Sequence, residues 1–284
     1  MLPNSLENDY LNGRCVLFVG AGVSARIKRT DGTSVPNWNE FVNQLVEFAY
    51  KRGYFDDIEK QELLSMVKSN KTIVVAQIVI DELKESEFQV FLANMFHGLE
   101  PNDIIYPLIC RMMFRAIVTT NFDTLIEDAF QRYASKKIKT WTQNDICDNL
   151  SQIEDVFLLK LHGTYERQAT VVLGLSGYLE SIHKNKMIKE FMESLFLNNT
   201  FLFIGYSMSD PDLNDMLDYL NVISNNNGRV NYLAIEKGNV SSLEKKHIRK
   251  HKNIALIEYQ NQTGTHEGII DLLEELKKKK NPLI

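Results

Sequence analysis

A short segment that follows an apolar run could form a phosphate-binding turn. GAGVSA (20–25) comes directly after CVLFV (15–19) and matches the G-x-G-x-x-A pattern of dinucleotide sites. Gly20 permits a tight turn, Gly22 lets the backbone approach a pyrophosphate, and the small Ala25 lets the next segment lie against a sheet. Backbone N–H groups would then point at the anion. The same pattern could also be only a tight turn between a strand and a helix.

Polar and ionisable residues follow three further apolar runs. Asn121 and Asp123 lie in TNFDT after AIVT, His162 begins HGT after VFLLKL, and Ser207 and Asp210 lie in GYSMSDPDL after TFLFI. Ligands bind at the carboxyl ends of strands in a doubly wound sheet, so these segments should meet at one cleft. Each segment has a structural alternative, because Asn, Asp and His residues also cap helices and occupy turns.

The elements that would position these residues alternate between strands and helices. Apolar runs rich in β-branched and aromatic residues predict six strands, at 15–19, 116–119, 156–161, 200–204, 231–235 and 253–259. Helical patterns lie between them. The alternation predicts an α/β fold with a doubly wound, mostly parallel, Rossmann-like sheet.

The spacing of the strands indicates one domain with a long insertion. The Rossmann-like core is expected at about 13–36 and 112–262, a helical insertion after the first strand at about 37–111, and a C-terminal helix at about 266–280. The insertion is expected to lie over one end of the sheet. The polar segment 26–37 after the glycine turn is expected to be a mobile loop that closes over a ligand.

Composition argues against several classes of protein. Of the 284 residues, 44% are hydrophobic and 24% charged, which is ordinary for a globular protein, and the net charge of -5 disfavours a nucleic-acid binder. Cys15, Cys110 and Cys147 form no C-x-x-C pair, so neither a zinc module nor a disulfide framework is expected. The first residues lack the pattern of a signal peptide and no apolar run reaches about 20 residues, so we expect a cytoplasmic protein without a membrane contact.

The order of the motifs resembles the sirtuin-like family, and most closely its bacterial branch in anti-phage defence. GAGVS, P-x-W (36–38), TTNFD, LHG and GYS follow one another within about 15–217. TTNFD stands where classical sirtuins have T-Q-N-x-D, and LHG stands at their catalytic histidine. GYS stands at their G-T-S, which contacts the adenosine half of NAD.

Departures from the classical sirtuins change what the resemblance implies. The two zinc-binding C-x-x-C pairs are missing, and Asn37 and Trp38 replace the central Asp and Phe of the P-D-F-R segment. The small zinc domain that helps hold acylated lysine peptides is therefore not expected, which weakens the case for protein deacylation. The similar defence proteins are NAD glycohydrolases, which kill or arrest the infected cell by draining its NAD.

The resemblance implies cleavage of NAD+ to nicotinamide and ADP-ribose. Asn121 would orient the attacking water and the ribose, and His162 would act as general base. Asp123 would either shape the nicotinamide-ribose pocket or only fix its loop. No metal and no cofactor beyond NAD+ as substrate is expected. The pyrophosphate would be held through the backbone N–H groups and a hydroxyl of Gly20, Ala21, Gly22 and Ser24. The adenosine end would be lined by Gly205, Tyr206, Ser207 and Asp210, and Thr120 is also assigned to the NAD+ site.

Two alternative functions stay open. One is a module that senses NAD or ADP-ribose without turnover, although the joint presence of Asn121 and His162 argues against it. The other is an ADP-ribosyltransferase or a deacylase. Unregulated NAD cleavage would be toxic to the host, so we expect a homo-oligomer or a separate regulator, such as a HerA-type ATPase, an Argonaute-like protein or a phage component.

Overall fold

A seven-stranded parallel sheet runs through the chain. The computed structural model describes residues 2–29, 32–149, 155–177, 186–208, 211–225, 227–262 and 264–280. The strands are β1 (Cys15–Val19), β2 (Ala116–Thr119), β3 (Lys139–Thr142), β4 (Phe157–Lys160), β5 (Thr200–Ile204), β6 (Asn231–Glu236) and β7 (Ile254–Tyr259).

The strand order places a topological switch point at β1. The order is β3-β4-β2-β1-β5-β6-β7, and neighbouring strands are parallel. After β1 the chain forms one half of the sheet, in which β3 is the edge strand and β4 lies between β3 and β2, and it then returns to start the other half at β5. Such a switch point is where doubly wound sheets open a crevice for ligands. The predicted doubly wound α/β architecture is confirmed.

The central strands are apolar over most of their length because both faces of the sheet are covered. Every residue of β1, β2, β4 and β5 is buried. Val16 and Phe18 of β1 belong to one hydrophobic cluster, and Leu17 and Val19 belong to the cluster on the opposite face. A strand covered on both sides reads as a continuous apolar run rather than an alternating pattern.

The edge strand β3 was missing from the sequence prediction, which gave six strands. Its sequence, KTWT, has an exposed residue at one end, and buried residues only at Trp141 and Thr142. Trp141 stacks on Phe157 of β4 with a ring-centroid distance of 4.8 Å. Because β3 pairs with β4 alone and packs through the single ring of Trp141, it can form without the continuous apolar run that marks the central strands.

In the described part of the chain, five helices lie between the glycine turn and β2, and they confirm the predicted helical insertion. They are α3 (Trp38–Lys51), α4 (Asp57–Lys68), α5 (Thr72–Glu82), α6 (Glu85–Phe96) and α7 (Ile105–Cys110). Asn37 and Glu40 form a reciprocal capping box at the start of α3, and Asp56 and Glu59 do the same for α4. The insertion contributes Phe41, Phe91 and Phe96 to the hydrophobic cluster that contains Leu17.

The other helices cover the two faces of the sheet. They are α1 (Asn4–Leu11), α2 (Ala21–Ser24), α8 (Leu125–Tyr133), α9 (Ile146–Asn149), α10 (Lys186–Asn198), α11 (Pro211–Ile223), α12 (Ser242–Lys252) and α13 (Glu267–Lys280). None of the helices in the described part of the chain combines the length and the apolar character needed to cross a bilayer. The single-domain boundaries given by the sequence remain a prediction.

An ion pair joins the end of β3 to the loop that follows β4. The guanidinium of Arg167 donates from Nη1 to Asp145 Oδ1 at 3.0 Å and from Nη2 to Asp145 Oδ2 at 2.6 Å. Asp145 Oδ2 also accepts from the backbone N–H of Thr142 at 2.7 Å. The Arg167 hydrogen bonds lower the pKa of the Asp145 carboxyl to about 2.

Replacing Asp145 by Asn should therefore lower stability in a pH-dependent way. A carboxyl whose pKa falls from 3.8 to about 2 on folding stabilises the protein above the higher value, and this contribution is lost as the pH falls through the lower one. We expect Asp145→Asn to have a lower melting temperature than the wild type at neutral pH, and we expect this difference in melting temperature to disappear in acid. Because Arg167 is about half exposed, added salt should reduce the difference in melting temperature as well. Melting curves between neutral and acid pH, with the exposed Asp148→Asn variant as control, test this; a pH-independent gap contradicts it.

Candidate active site

The backbones that follow β1 and β5 touch each other at two glycines. A Cβ on Gly20 would overlap the carbonyl oxygen of Gly205. Gly205 has φ +59°, and a Cβ there would lie 2.6 Å from the backbone nitrogen of Val23. Side chains are excluded at both positions, so the main chain of the glycine turn is bare at the switch point of the sheet.

Two N–H groups of the glycine turn are already used within the protein. Gly20 donates to the carbonyl of Ile204, and Gly22 donates to the carbonyl of Gly205, both at 2.9 Å. These bonds fasten the turn to the end of β5. Ala21 is the first residue of α2, where N–H groups lack intrahelical partners. The N–H groups of Gly20 and Gly22 therefore do not face a phosphate, and the predicted contact of Ala21 with the pyrophosphate stays a prediction.

The amide of Asn121 has a fixed orientation. Its Nδ2 donates to the carbonyl of Gly20 at 3.2 Å and to Ser24 Oγ at 2.9 Å. A carbonyl oxygen can only accept, so the nitrogen must be the atom that faces the glycine turn. Oδ1 is consequently the atom of this buried side chain that can accept a hydrogen bond from a ligand.

Ser24 and Asp123 form a second layer behind Asn121. The hydroxyl of Ser24 donates to Asp123 Oδ2 at 2.7 Å, and Asp123 Oδ1 accepts from the backbone N–H of Leu125 at 3.1 Å. Asp123 therefore orients Ser24 and accepts the first backbone N–H of α8. Because the Ser24 proton is directed at Asp123, the sequence-based idea that this hydroxyl donates to a pyrophosphate does not match the geometry.

The loop after β4 carries His162. His162 is only 5% exposed, and the backbone carbonyl of His162 accepts from the N–H of Val172 at 3.0 Å. Gly163 comes next with φ +79°, and a Cβ there would overlap the carbonyl of Thr170. The conformation of this loop therefore depends on glycine directly after the histidine.

A fully buried lysine lies between the Asn121 and His162 loops. The Nζ of Lys160 contacts the carbonyls of Phe122 and Asp123, and it pairs with Glu127 Oε1 at 3.0 Å. Burial raises the pKa of Glu127, while the neighbouring ammonium of Lys160 acts in the opposite direction. The sequence prediction missed this residue because VFLLKL resembles a plain apolar strand. The sequence did contain a signal for it, because a lysine in a strand that is covered on both faces must have a polar or charged partner.

A cavity of about 850 Å³ opens along the carboxyl ends of the strands. This size is typical of a small-molecule site. Ten of the predicted site residues line it: Ala21, Gly22, Ser24, Thr120, Asn121, Asp123, His162, Gly205, Tyr206 and Ser207. Gly20 lies beneath the cavity, against Gly205. Asp210 falls outside the described residues.

The ring of Tyr206 is mostly a core side chain. The residue is 8% exposed, and its ring packs edge-on against Phe18 with centroids 5.2 Å apart and lies 5.7 Å from that of Phe203. Its main contribution to the cavity is therefore to fix the backbone after Gly205.

The segment between the glycine turn and α3 is anchored at both ends. Ile27 and Val35 are buried, and Arg26, whose side chain is 9% exposed, pairs with Asp103 at 3.0 Å. A bridge joins Lys28 to Ser34. Closure of this segment over a ligand remains a prediction, and residues 30–31 lie outside the described part.

The structure adds lining residues that the sequence did not single out. The insertion supplies aromatic side chains near Asn121, and the far side of the cavity is formed by β6, α12 and the chain around β7. These residues are Phe41, Phe96, Glu236, Asn239, Glu244, His247, Tyr259 and His266. Trp38, which the P-x-W motif had already marked, lines the cavity as well. Glu236 had a signal in the sequence, because it comes directly after the predicted strand 231–235. Phe41 and Phe96 had no comparable signal, because aromatic positions on a helix usually belong to the core.

Thiol chemistry is not supported by the two cysteines whose side chains are described. Burial raises the pKa of Cys15 and raises that of Cys110 to about 11, so both stay protonated at neutral pH. Within the described ranges, no group of three or more His, Cys, Asp or Glu side chains is arranged to hold a metal ion.

Comparison with known proteins identifies similar chains. Residues 115–257, about half of the chain, match the family model of a SIR2-like domain. "Defense-associated sirtuin 2" of Bacillus subtilis is 27% identical over 74% of this chain and 19% of its own length. "NAD(+) hydrolase ThsA" is 25% identical in Cytobacillus dafuensis, over 78% of this chain and 41% of that protein. It is 28% identical in Bacillus cereus (strain MSX-D12), over 81% and 44%. The chain spans less than half the length of each of these relatives.

Replacing Gly163 by alanine should lower stability for two reasons, left-handed backbone strain and overlap with Thr170, and a comparison with Gly53 separates the two. Gly53 has the same φ of +79° but open space around it, so Gly53→Ala should cost only left-handed strain, about 1–2 kcal/mol. Gly163→Ala adds the overlap with Thr170 and should cost about 1–3 kcal/mol more. Both changes restrict the unfolded chain equally. Urea denaturation gives the two free energies of unfolding, and equal losses would show that the contact at Thr170 does not matter.

Proposed function

The chain belongs to the SIR2-like domain family, and from that premise we propose that it is an NAD+ glycohydrolase, which cleaves NAD+ into nicotinamide and ADP-ribose. The observation that carries the proposal is the fixed Asn121 amide, which leaves Oδ1 as acceptor in a cavity that it shares with His162. Relatives whose printed name is NAD(+) hydrolase support the same reaction.

The reaction makes modest demands on the protein. Breaking the glycosidic C–N bond passes through an oxocarbenium-like transition state, and nicotinamide leaves as a neutral ring, so no general acid is required. The protein must position the ribose, present a water molecule to the anomeric carbon and accept its proton. Each of these tasks can be given to a described side chain.

Asn121 and His162 take the catalytic roles. Oδ1 of Asn121 accepts a hydrogen bond from the attacking water or from a ribose hydroxyl. His162 accepts the proton of the water as general base, a task suited to an imidazole at neutral pH. Of the two roles open for Asp123, fixing its loop is favoured, because the carboxylate already accepts from Ser24 and Leu125.

The dinucleotide would lie across the switch point. The pyrophosphate would approach Ala21 and the bare backbone at Gly205, with the nicotinamide ribose toward Thr120 and Asn121. The adenosine would extend past Ser207 toward β6, on the other side of the cavity. A cavity that continues on both sides of Gly205 supports a ligand with two separated halves. The role of Asp210 at the adenosine end remains part of the proposal.

The biological part of the proposal is depletion of NAD in anti-phage defence by abortive infection. The name of the Bacillus subtilis relative, a defence-associated sirtuin, supports it. Because unrestrained NAD cleavage would harm the host, the activity must be controlled. The proposal therefore includes control by homo-oligomerisation or by a separate regulator, such as a HerA-type ATPase, an Argonaute-like protein or a phage component.

Incubation of the purified protein with NAD+, followed by chromatography of the products, tests the reaction. Equal amounts of nicotinamide and free ADP-ribose are expected. Binding without products would favour an NAD-sensing module instead. Nicotinamide released without matching free ADP-ribose would favour transfer to an acceptor.

Asn121→Ala should abolish this cleavage while the protein stays folded. The change removes the acceptor for the water and two hydrogen bonds at Gly20 and Ser24, so some loss of stability, about 1–3 kcal/mol, is expected as well. Asn199→Ala is a matched control, because Asn199 is equally buried and its Nδ2 donates to the backbone of Leu195 at 2.8 Å, away from the cavity. Near wild-type cleavage by a folded Asn121→Ala variant would remove Asn121 from the mechanism.

His162→Ala should separate turnover from binding. Loss of a general base typically lowers the rate by about 10²–10⁴-fold, whereas loss of one neutral hydrogen bond costs only about 0.5–1.5 kcal/mol of binding. Titration of NAD+ by calorimetry beside a product assay on the same preparation measures both. His251→Ala, at an exposed position that does not line the cavity, serves as the control. Loss of binding together with turnover at an unchanged melting temperature would make His162 a binding residue.

A further inference from the structure

The buried ammonium of Lys160 connects the two loops that carry the proposed catalytic residues. Lys160 is the last residue of β4, and its side chain is 0% exposed. From the end of β4, its Nζ reaches the backbone of the Asn121 loop at the carbonyls of Phe122 and Asp123. It also lies 3.4 Å from Thr164 Oγ1, two residues beyond His162. One side chain thus contacts both loops.

The same backbone carbonyl is shared by the two loops. Phe122 O accepts from the N–H of Tyr165 at 3.0 Å and from Thr164 Oγ1 at 3.4 Å, in addition to the contact with Lys160. The relative position of the loops is therefore set by groups that converge on Phe122 O and Asp123 O. Among these groups, Lys160 alone carries a full charge.

Glu127 compensates the buried charge of Lys160. An isolated ammonium in a strand covered on both faces would carry a large desolvation penalty. The carboxylate of Glu127 at 3.0 Å neutralises it, and the loop carbonyls accept its remaining protons. A methionine could fill the same space, but its thioether has no proton to donate to the carbonyls.

We propose that Lys160 is a positioning residue for NAD+ cleavage, which sets the distance between Asn121 and His162 by holding the backbones of their two loops. This inference rests on the proposed function. Lys160 is not one of the residues that line the cavity. Lys160 would instead act on the distance between the attacking water, which Asn121 holds, and the general base His162. A displacement of about 1 Å between reacting groups can lower the rate by about 10²-fold.

Lys160→Met tests the proposal, because it keeps the aliphatic stem and removes the ammonium. We expect kcat to fall about 10²-fold while the Kd for NAD+ changes by less than about tenfold. Hydrogen exchange read by mass spectrometry should show faster exchange in residues 120–125 and 161–165, and unchanged exchange in the helices of the insertion.

Lys252→Met is the matched control. Lys252 is also largely buried, at 11% exposed, and its Nζ pairs with Asp218 Oδ2 at 2.9 Å and lies 3.4 Å from the carbonyl of Asn214. These contacts join α12 to α11, away from both loops. Lys252→Met should lose stability but keep kcat. If Lys160→Met does not fold, Lys160→Met combined with Glu127→Leu removes both charges, so that no unpaired carboxylate remains, and it should show the same loss of kcat.

The outcomes separate this inference from the proposed function. Normal kcat in a folded Lys160 variant overturns the positioning role, and so does an equal loss of kcat in Lys252→Met. If the wild type binds NAD+ but does not cleave it, the proposed function fails. The exchange measurement then still decides on Lys160, because unchanged exchange in both loops overturns the inference.

Discussion

The contact between the backbones at Gly20 and Gly205 is the constraint on which the rest of the site depends. β1 and β5 are neighbours in the sheet, and their chains leave it in directions that bring main chain against main chain. A side chain at either glycine would force the two strand ends apart. With both absent, the sheet presents bare backbone at its switch point, and the polar side chains of the neighbouring strands surround that point.

The main features of the fold could be predicted from the sequence because they depend on local patterns. Central strands covered on both faces must be apolar over most of their length, so β1, β2, β4 and β5 stand out as short hydrophobic runs. The glycine turn and the polar residues after each run follow from the geometry of parallel sheets. β3 was not predicted, because an edge strand of four residues with one large apolar side chain does not differ from a loop in sequence.

The internal arrangement of the site could not be predicted, because it depends on partners that are distant along the chain. The orientation of the Asn121 amide is set by Ser24, which is 97 residues away. The proton of Ser24 is directed by Asp123, and this moved Ser24 from a candidate phosphate ligand to a residue that orients Asn121. Sequence showed which residue types would meet, but the direction of each hydrogen bond requires the packed structure.

Burial of the polar residues has opposing effects on stability and on the proposed chemistry. Ser24, Asn121, Asp123, Lys160 and His162 are all buried, where unpaired polar groups are costly and paired ones hold their geometry strongly. A more apolar set of residues at these positions would give a more stable sheet edge. Retaining a charged lysine and a carboxylate there is consistent with a site in which two loops must be held in one relative position, and not with a turn region that serves folding alone.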